Sequence, residues 1–287
     1  MAFLSDEKII DLKKQANEIR KSIIRMLVEA GSGHTAGALD MADVFTLFYF
    51  HVLRHDPKNP SWEERDRLIL SNGHICPVLY ASMAHSGYFP VEELLTLRKF
   101  GTRLQGHPHR EYLPYLETSS GPLGAGLSQA VGMALADKID GSTKLATSKK
   151  EEQKIYCFLG DGELDEGNNW EAIMLAGKNK LNNLIAIVDR NNIQIDGKTE
   201  NIMPLEPLSK KWIAFNWHVI EVNGHDFKAL NEAVEEAHRT YEKPIVIIAH
   251  TIASRGIKEW EGDYRWHGKP PTKTEGEMAL KELELFR

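Results

Sequence analysis

Apolar residues at Ile9, Leu12, Ala16, Ile19, Ile23, Leu27 and Ala30 recur at three- and four-residue steps, the spacing of one helix face. Ser5 followed by Asp6 and Glu7 is a helix start and Gly31 a stop, so one amphipathic helix is predicted over 6–30. A second helix is predicted over 41–52, rich in Val44, Phe45, Leu47 and Phe48. Residues 67–70 read as a short strand, and 78–85 and 91–97 as short helices. From Arg98 to Gly126 the periodicity stops. A stretch this long without regular structure inside a compact domain is functional or disordered, and its aromatics and single prolines argue against disorder.

The pattern then changes period. After a helix over 127–138 and a polar loop over 141–153 comes an apolar run at 155–159, broken by Gly160-Asp161-Gly162. Residues 169–178 have helical spacing through Trp170, Ile173, Met174 and Ala176, and 184–188 form a second apolar run ending in Asp189-Arg190-Asn191-Asn192. Strand, crossover helix, strand makes a βαβ unit whose strands are parallel. Runs apolar at successive positions predict strands covered on both faces. A helix over 208–215, a strand over 217–222, a helix over 227–241 capped by Asp226, and a strand over 245–249 continue the alternation. A last helix is predicted over 275–286, with Thr274 and Glu277 as its capping box. With no repeat and no linker, 1–287 reads as a single doubly wound α/β domain with about five mostly parallel strands and helices on both faces.

Composition narrows the function classes. The net charge of −6 comes without a Lys/Arg cluster, which argues against nucleic acid. Two cysteines, Cys76 and Cys157, form no disulfide or metal pattern. No apolar run approaches the ~20 residues of a membrane span, and charge at Asp6-Glu7-Lys8 comes too early for a signal peptide. The expectation is a soluble, cytoplasmic protein.

The βαβ unit carries the first chemistry. Asp161 and Asn191 each follow the carboxyl end of a strand, where open α/β sheets bind ligands. A carboxylate, an amide and a nearby carbonyl are hard oxygen ligands for Mg²⁺ or Ca²⁺, and Mg²⁺ commonly completes its six from water and phosphates. The glycines at 160 and 162 let backbone approach those phosphates, so the stretch reads as half of a metal–diphosphate clamp. An EF-hand fails, because position six of a loop starting at Asp161 is Glu166. A Rossmann fingerprint at Gly124-Ala125-Gly126 lacks a preceding strand, and Gly268-Lys269 has the wrong spacing for a P-loop. A Mg²⁺-dependent phosphoryl-transfer site around Asp161 lacks a second supported carboxylate. Histidines 34, 74, 107 and 225 each follow a glycine and His267 precedes one, which suits imidazoles that meet a ligand from loops.

The run GDGELDEGNNWEA followed by LIAIVDRNNIQIDG resembles the thiamine-diphosphate signature of the transketolase family. Ser32-Gly33-His34, Ser71-Asn72-Gly73-His74, Gly106-His107-Pro108, Gly121-Pro122-Leu123-Gly124 and Trp266-His267-Gly268 resemble further landmarks of that family. The resemblance implies a thiamine-diphosphate-binding fold in which Asp161, Asn191 and the carbonyl of Ile193 hold Mg²⁺. It places His74 and His267 near the diphosphate, Leu123 and Ile195 against the thiazolium, and the backbone of Gly121 and Gly162 around the cofactor. His34, His107 and His267 become the catalytic histidines of the sugar channel, and Glu166 and Glu171 lie near a dimer interface. His225 is read as a turn and cap residue. His34-Thr35-Ala36-Gly37 replaces the family's Gly-His-Pro-Gly pattern, and 258–264 matches least well.

The resemblance runs from about Lys8 to Pro271 and covers only the diphosphate-binding portion of the family's architecture. It therefore implies the N-terminal subunit of a split transketolase, moving a two-carbon ketol unit from a ketose phosphate to an aldose phosphate. The implied partner is a C-terminal, pyrimidine-binding subunit in an α2β2 heterotetramer. A related enzyme for a branched or sulfonated ketose and a non-catalytic partner subunit stay open; a deoxyxylulose-phosphate synthase fits the SNGH and GHP segments less well.

Overall fold

A computed structural model describes residues 4–143 and 153–286. Helix α1 (Asp6–Ala30) starts where Ser5 Oγ accepts from the Lys8 N–H and ends at left-handed Gly31, as its sequence signals predict. It is followed by α2 (Ala36–Asp40), α3 (Ala42–Leu47), β1 (Arg67–Leu70), α4 (Cys76–His85) and α5 (Ala125–Thr143). The crossover unit is β2 (Ile155–Gly160), α6 (Gly167–Asn179) and β3 (Leu184–Arg190). Then come the hairpin strands β4 (Ile193–Gln194) and β5 (Gly197–Lys198), α7 (Thr199–Ile202), α8 (Leu208–Ala214), β6 (His218–Asn223), α9 (Phe227–Arg239), β7 (Ile245–His250) and α10 (Lys273–Leu285).

Five strands form one sheet in the order β1-β2-β3-β7-β6, every neighbouring pair parallel. Side chains still alternate within the buried runs. Tyr156, Phe158, Ile185, Ile187, Ile245 and Ile247 join a core built with α1, α3, α4 and α9, while Cys157, Leu159, Ala186, Val188, Val246 and Ile248 join a second core under α5, α6 and α8. Two apolar layers bury all of β3 and β2 up to Leu159, which is why both read as unbroken apolar runs. The crossover helix passes very close to the segment after α8: a Cβ on Gly177 would stand 1.9 Å from the Phe215 carbonyl oxygen. The parallel sheet places the ends of β1, β2, β3 and β7 on one edge, and the site forms there.

Several boundaries differ from expectation. The helix predicted over 41–52 begins at Ala36, breaks at Met41 and ends in a wide π turn over Phe48–Val52. Nearly every residue of this stretch is buried, so no polar face marks its bends. The segment expected as a helix over 91–97 is a 3-10 turn, Val91–Thr96. The helix expected over 127–138 runs from Ala125 to Thr143 into the expected polar loop, of which 144–152 lie outside the described residues. Trp217 precedes its strand and donates its indole N–H to the Ile173 carbonyl at 2.9 Å. The capping box of the last helix is Thr272 with Glu275, two residues before the expected Thr274 and Glu277. Both pairs have the required spacing, and the helix extends back until Pro270-Pro271 stops it. No helix of the described residues is long and apolar enough to cross a membrane.

Candidate functional site

The adjacent strands β2 and β3 deliver Asp161 and Asn191 to one edge, as the crossover predicts. Asp161 Oδ2 accepts from Arg190 Nη1 at 3.0 Å and from the Asn192 N–H at 2.8 Å, and Oδ1 accepts from the Gly162 N–H at 2.7 Å. Burial pushes the Asp161 carboxyl up to about 6 while Arg190 and the backbone donors pull it down. Asn191 is oriented by its surroundings. Its Nδ2 donates to Asp40 Oδ2 at 3.1 Å and Asp189 Oδ2 at 2.9 Å, which leaves Oδ1 facing the loop, where it accepts from the Ile193 N–H at 3.1 Å. The chain turns between them at Asn192, whose φ of 64° is a left-handed conformation that asparagine tolerates. Ile193 then opens the β4–β5 hairpin.

The residues that hold this pair were not singled out from sequence. Arg190 is buried and also donates to Thr199 Oγ1, Glu200 and Glu206, tying β3 to the segment after the hairpin. Asp40 and Asp189 are buried beneath Asn191, and Thr251 Oγ1 donates to Asp189. Burial first, then neighbouring negative charge, holds both carboxyls above the ordinary range. A charged residue at the end of an otherwise apolar strand is the available signal for Arg190, since such side chains are rarely buried without partners.

Glu163 is a further residue that sequence patterning did not single out. Its buried carboxylate accepts from the Gly160 N–H at 3.0 Å, the Gly124 N–H at 2.8 Å and Ser71 Oγ, while Ser71 Oγ also accepts from the Gly126 N–H at 3.1 Å. One side chain thus joins the ends of β1 and β2 to the loop before α5. That loop carries Gly121, at φ 146°, and Leu123, an apolar side chain left 41% exposed.

Three of the predicted histidines meet. The ring centroids of His34 and His74 lie 4.9 Å apart, His74 and His267 5.1 Å, and His34 and His267 5.6 Å. His107 stands at the exposed rim, packed on Gly121, where a Cβ would come 3.7 Å from the His107 Cβ. All four imidazoles are held below their ordinary range, the three clustered rings chiefly by burial and the rim His107 by partial desolvation together with the charge of Arg98. His34 falls to about 4, with the nearby His267, Arg98 and His107 adding to the effect of burial. Ile195 joins the group: its Cδ1 lies 3.6 Å, and His34 Cδ2 3.8 Å, from the position of a Cβ on Gly268. His225 is not brought to the cluster. It lies in the turn before Asp226, which itself caps α9, and its ring links Asp43 Oδ2 at 2.8 Å to the Ile252 N–H at 2.8 Å.

The residues suit a metal diphosphate with an aromatic head. Among the described residues no three His, Cys, Asp or Glu side chains gather as a metal site. A cation at Asp161 would therefore rest on one carboxylate and neutral oxygens, completed by phosphate and water, which fits Mg²⁺ or Ca²⁺ and not Zn²⁺. Buried His34 Nδ1, His267 Nδ1, Asn72 Oδ1 and Ser120 Oγ have no partner, so polar atoms around the cluster are left for a ligand. The Gly162 N–H is engaged by Asp161, so that glycine contributes room: a Cβ there would stand 3.0 Å from Gln194 Cβ. Leu123 and Ile195, 41% and 60% exposed, offer apolar surface to a ring. Glu166 and Glu171 are exposed on α6 and its approach, near the exposed Met174 and Leu175.

Comparison with known proteins agrees with this geometry. The family model for the transketolase thiamine diphosphate binding domain matches residues 12–284. The chain is 44% identical over 278 residues to the 6-deoxy-6-sulfo-D-fructose transketolase subunit SqwG of a Clostridium species, covering 97% of this chain and 98% of that one. It is 38% identical to one subunit of the apulose-4-phosphate transketolase of Phocaeicola vulgatus, covering 95% of this chain and 93% of that protein. The transketolase structure from Leishmania mexicana superposes with a TM-score of 0.91 at 34% identity, over 95% of this chain and 41% of that one. The chain thus spans about two-fifths of such full-length enzymes and nearly all of the relatives named as subunits.

Proposed function

Because the chain belongs to the family of transketolase thiamine-diphosphate-binding domains, we propose that it is the metal- and diphosphate-binding subunit of a two-subunit transketolase. Its partner would be a pyrimidine-binding subunit, in an α2β2 assembly. The observation that carries the reading is Asp161 and Asn191 fixed at adjacent strand ends, with the Asn72 side chain packed beside Gly160. Two relatives of matching length being named as subunits supports the split arrangement.

In this reading Asp161, Asn191 and the Ile193 carbonyl hold Mg²⁺. His74 and His267 stand by the diphosphate, and Leu123 and Ile195 exclude water from the thiazolium. When bound, thiamine diphosphate supplies a nucleophilic carbon able to carry a two-carbon ketol unit between sugars. His34, His107 and His267 face the incoming sugar. Their depressed basicity keeps them neutral near pH 7, so each can donate a hydrogen bond to a carbonyl oxygen through one nitrogen and accept a hydroxyl proton at the other. A positioned neutral imidazole requires no desolvation of a charge when the sugar arrives.

The donor is proposed to be a ketose phosphate and the acceptor an aldose phosphate. A second reading, a ketose with a branched or sulfonated tail, draws on the names of the two subunit relatives. Calorimetric titration of thiamine diphosphate into the assembled complex, with Mg²⁺ and with a chelator, tests the cofactor assignment. Binding that requires the metal is expected; absence of binding under both conditions would remove the catalytic reading and leave a non-catalytic subunit.

A further inference from the structure

Resting on that reading, we propose that Arg98 is a substrate-specificity residue contributed by this chain: a cation at the mouth of the histidine cluster that binds the anionic tail of the sugar. Three observations converge on it. Arg98 is exposed, and its side chain makes a single long hydrogen bond, from Nη2 to the Gly106 carbonyl at 3.4 Å. Its neighbours are paired, Lys99 with Glu29 and Arg103 in a two-pronged contact with Glu93, whereas among the described residues no carboxylate pairs with Arg98.

The guanidinium stands against the two loops that carry His107 and His34. Arg98 Cζ and Nε both lie 2.8 Å from the position of a Cβ on Gly106, and Nε 3.8 Å from that on Gly33, so it spans the glycines preceding His107 and His34. Its charge reaches both imidazoles. The backbone is also constrained: Arg98 has a φ of 61°, uncommon for a bulky residue, and its N–H donates to the Leu104 carbonyl at 2.9 Å. Buried Leu97 and Leu104 anchor that turn. A strained, anchored arginine with free donors at a channel mouth suits a tetrahedral oxyanion, phosphate or sulfonate, whose oxygens match the guanidinium fork.

The test uses the assembled complex with Mg²⁺ and thiamine diphosphate, comparing wild type, Arg98→Gln and Arg98→Lys. The expected result for Arg98→Gln is a fall of about tenfold or more in the kcat/KM ratio of phosphorylated to unphosphorylated acceptor, carried by KM, with partial recovery in Arg98→Lys. Running sulfonated and phosphorylated donors in parallel shows which tail depends more on Arg98. Equal losses with charged and neutral acceptors would overturn the proposal, as would dissociation of the complex in sedimentation, which would make Arg98 an interface residue. Inorganic phosphate and sulfate are also titrated against the complex, following the His107 C2–H resonance. A shift present in wild type and absent in Arg98→Gln, in a complex without ketol transfer, would keep the anion site and reject the transketolase reading.

Discussion

Arg190 Nη1 lies 3.0 Å from Asp161 Oδ2, and both side chains are 2% exposed. The proposed metal ligand is therefore not a free carboxylate at a strand end. One of its oxygens is turned inward by an arginine from the neighbouring strand, which fixes the direction in which the rest of the carboxylate faces. Removing one member of a buried pair leaves an uncompensated charge, at a cost of about 3–5 kcal/mol. Arg190→Met is expected to lose stability of this order in urea denaturation and to weaken Mg²⁺-dependent cofactor binding in the complex. Unchanged cofactor affinity would show that the ion pair only supports the fold.

Asp161→Ala and His225→Ala separate the site from its surroundings. The first is expected to abolish Mg²⁺-dependent binding of thiamine diphosphate. The second removes a ring that hydrogen-bonds Asp43 and the Ile252 N–H, so it is expected to cost about 1–3 kcal/mol of stability and leave cofactor affinity within about twofold. Similar losses of affinity in both, measured by calorimetry, would place the site wrongly.

Glu163 makes a different prediction. Its carboxylate accepts from Ser71 and from the Gly124 and Gly160 N–H groups. Glu163→Ala leaves those buried donors unpaired, at about 1–3 kcal/mol for each group. Hydrogen exchange should accelerate at the Gly124, Gly126 and Gly160 amides together. Acceleration confined to one of them would mean that the loops are held independently.

Acid acts on two parts of the molecule with the same sign in separate windows. The imidazoles of His34, His74 and His267 are held below the ordinary 6.5 in the folded chain, mainly by burial, His34 to about 4. Between those values the unfolded chain binds more protons, so stability falls as the pH is lowered from 6.5 toward 4. For Asp43 burial opposes ionisation, but Arg20 and His225 outweigh it and pull the carboxyl from 3.8 to about 2. Its contribution is complete above 3.8 and is lost as the pH falls through about 2. Chemical denaturation at successive pH values should show the first slope reduced in His34→Gln and unchanged in Asp43→Asn.

How much of this was legible in the sequence depended on whether a residue's role was local. The βαβ unit, the helix over 6–30 and the Asp226 cap follow from periodicity and short-range capping chemistry, and stand where expected. The histidines were legible as a set because each sits beside a glycine. Arg190, Asp40 and Glu163 were not, because the contacts that tie them to the site reach 29, 151 and 39 residues along the chain, to Asp161, Asn191 and Gly124. The bends at Met41 and in the π turn were hidden for another reason: a segment buried on all sides has no polar face from which to read its period.

The central claim is that this chain holds the metal and diphosphate while a separate subunit completes the active site. Ketol transfer measured with the chain alone, with a candidate pyrimidine-binding partner alone, and with the two mixed, each with thiamine diphosphate and Mg²⁺, tests it most directly. Turnover only in the mixture, abolished by Asp161→Ala in this chain, is the predicted result. Full turnover by this chain without a partner would contradict it.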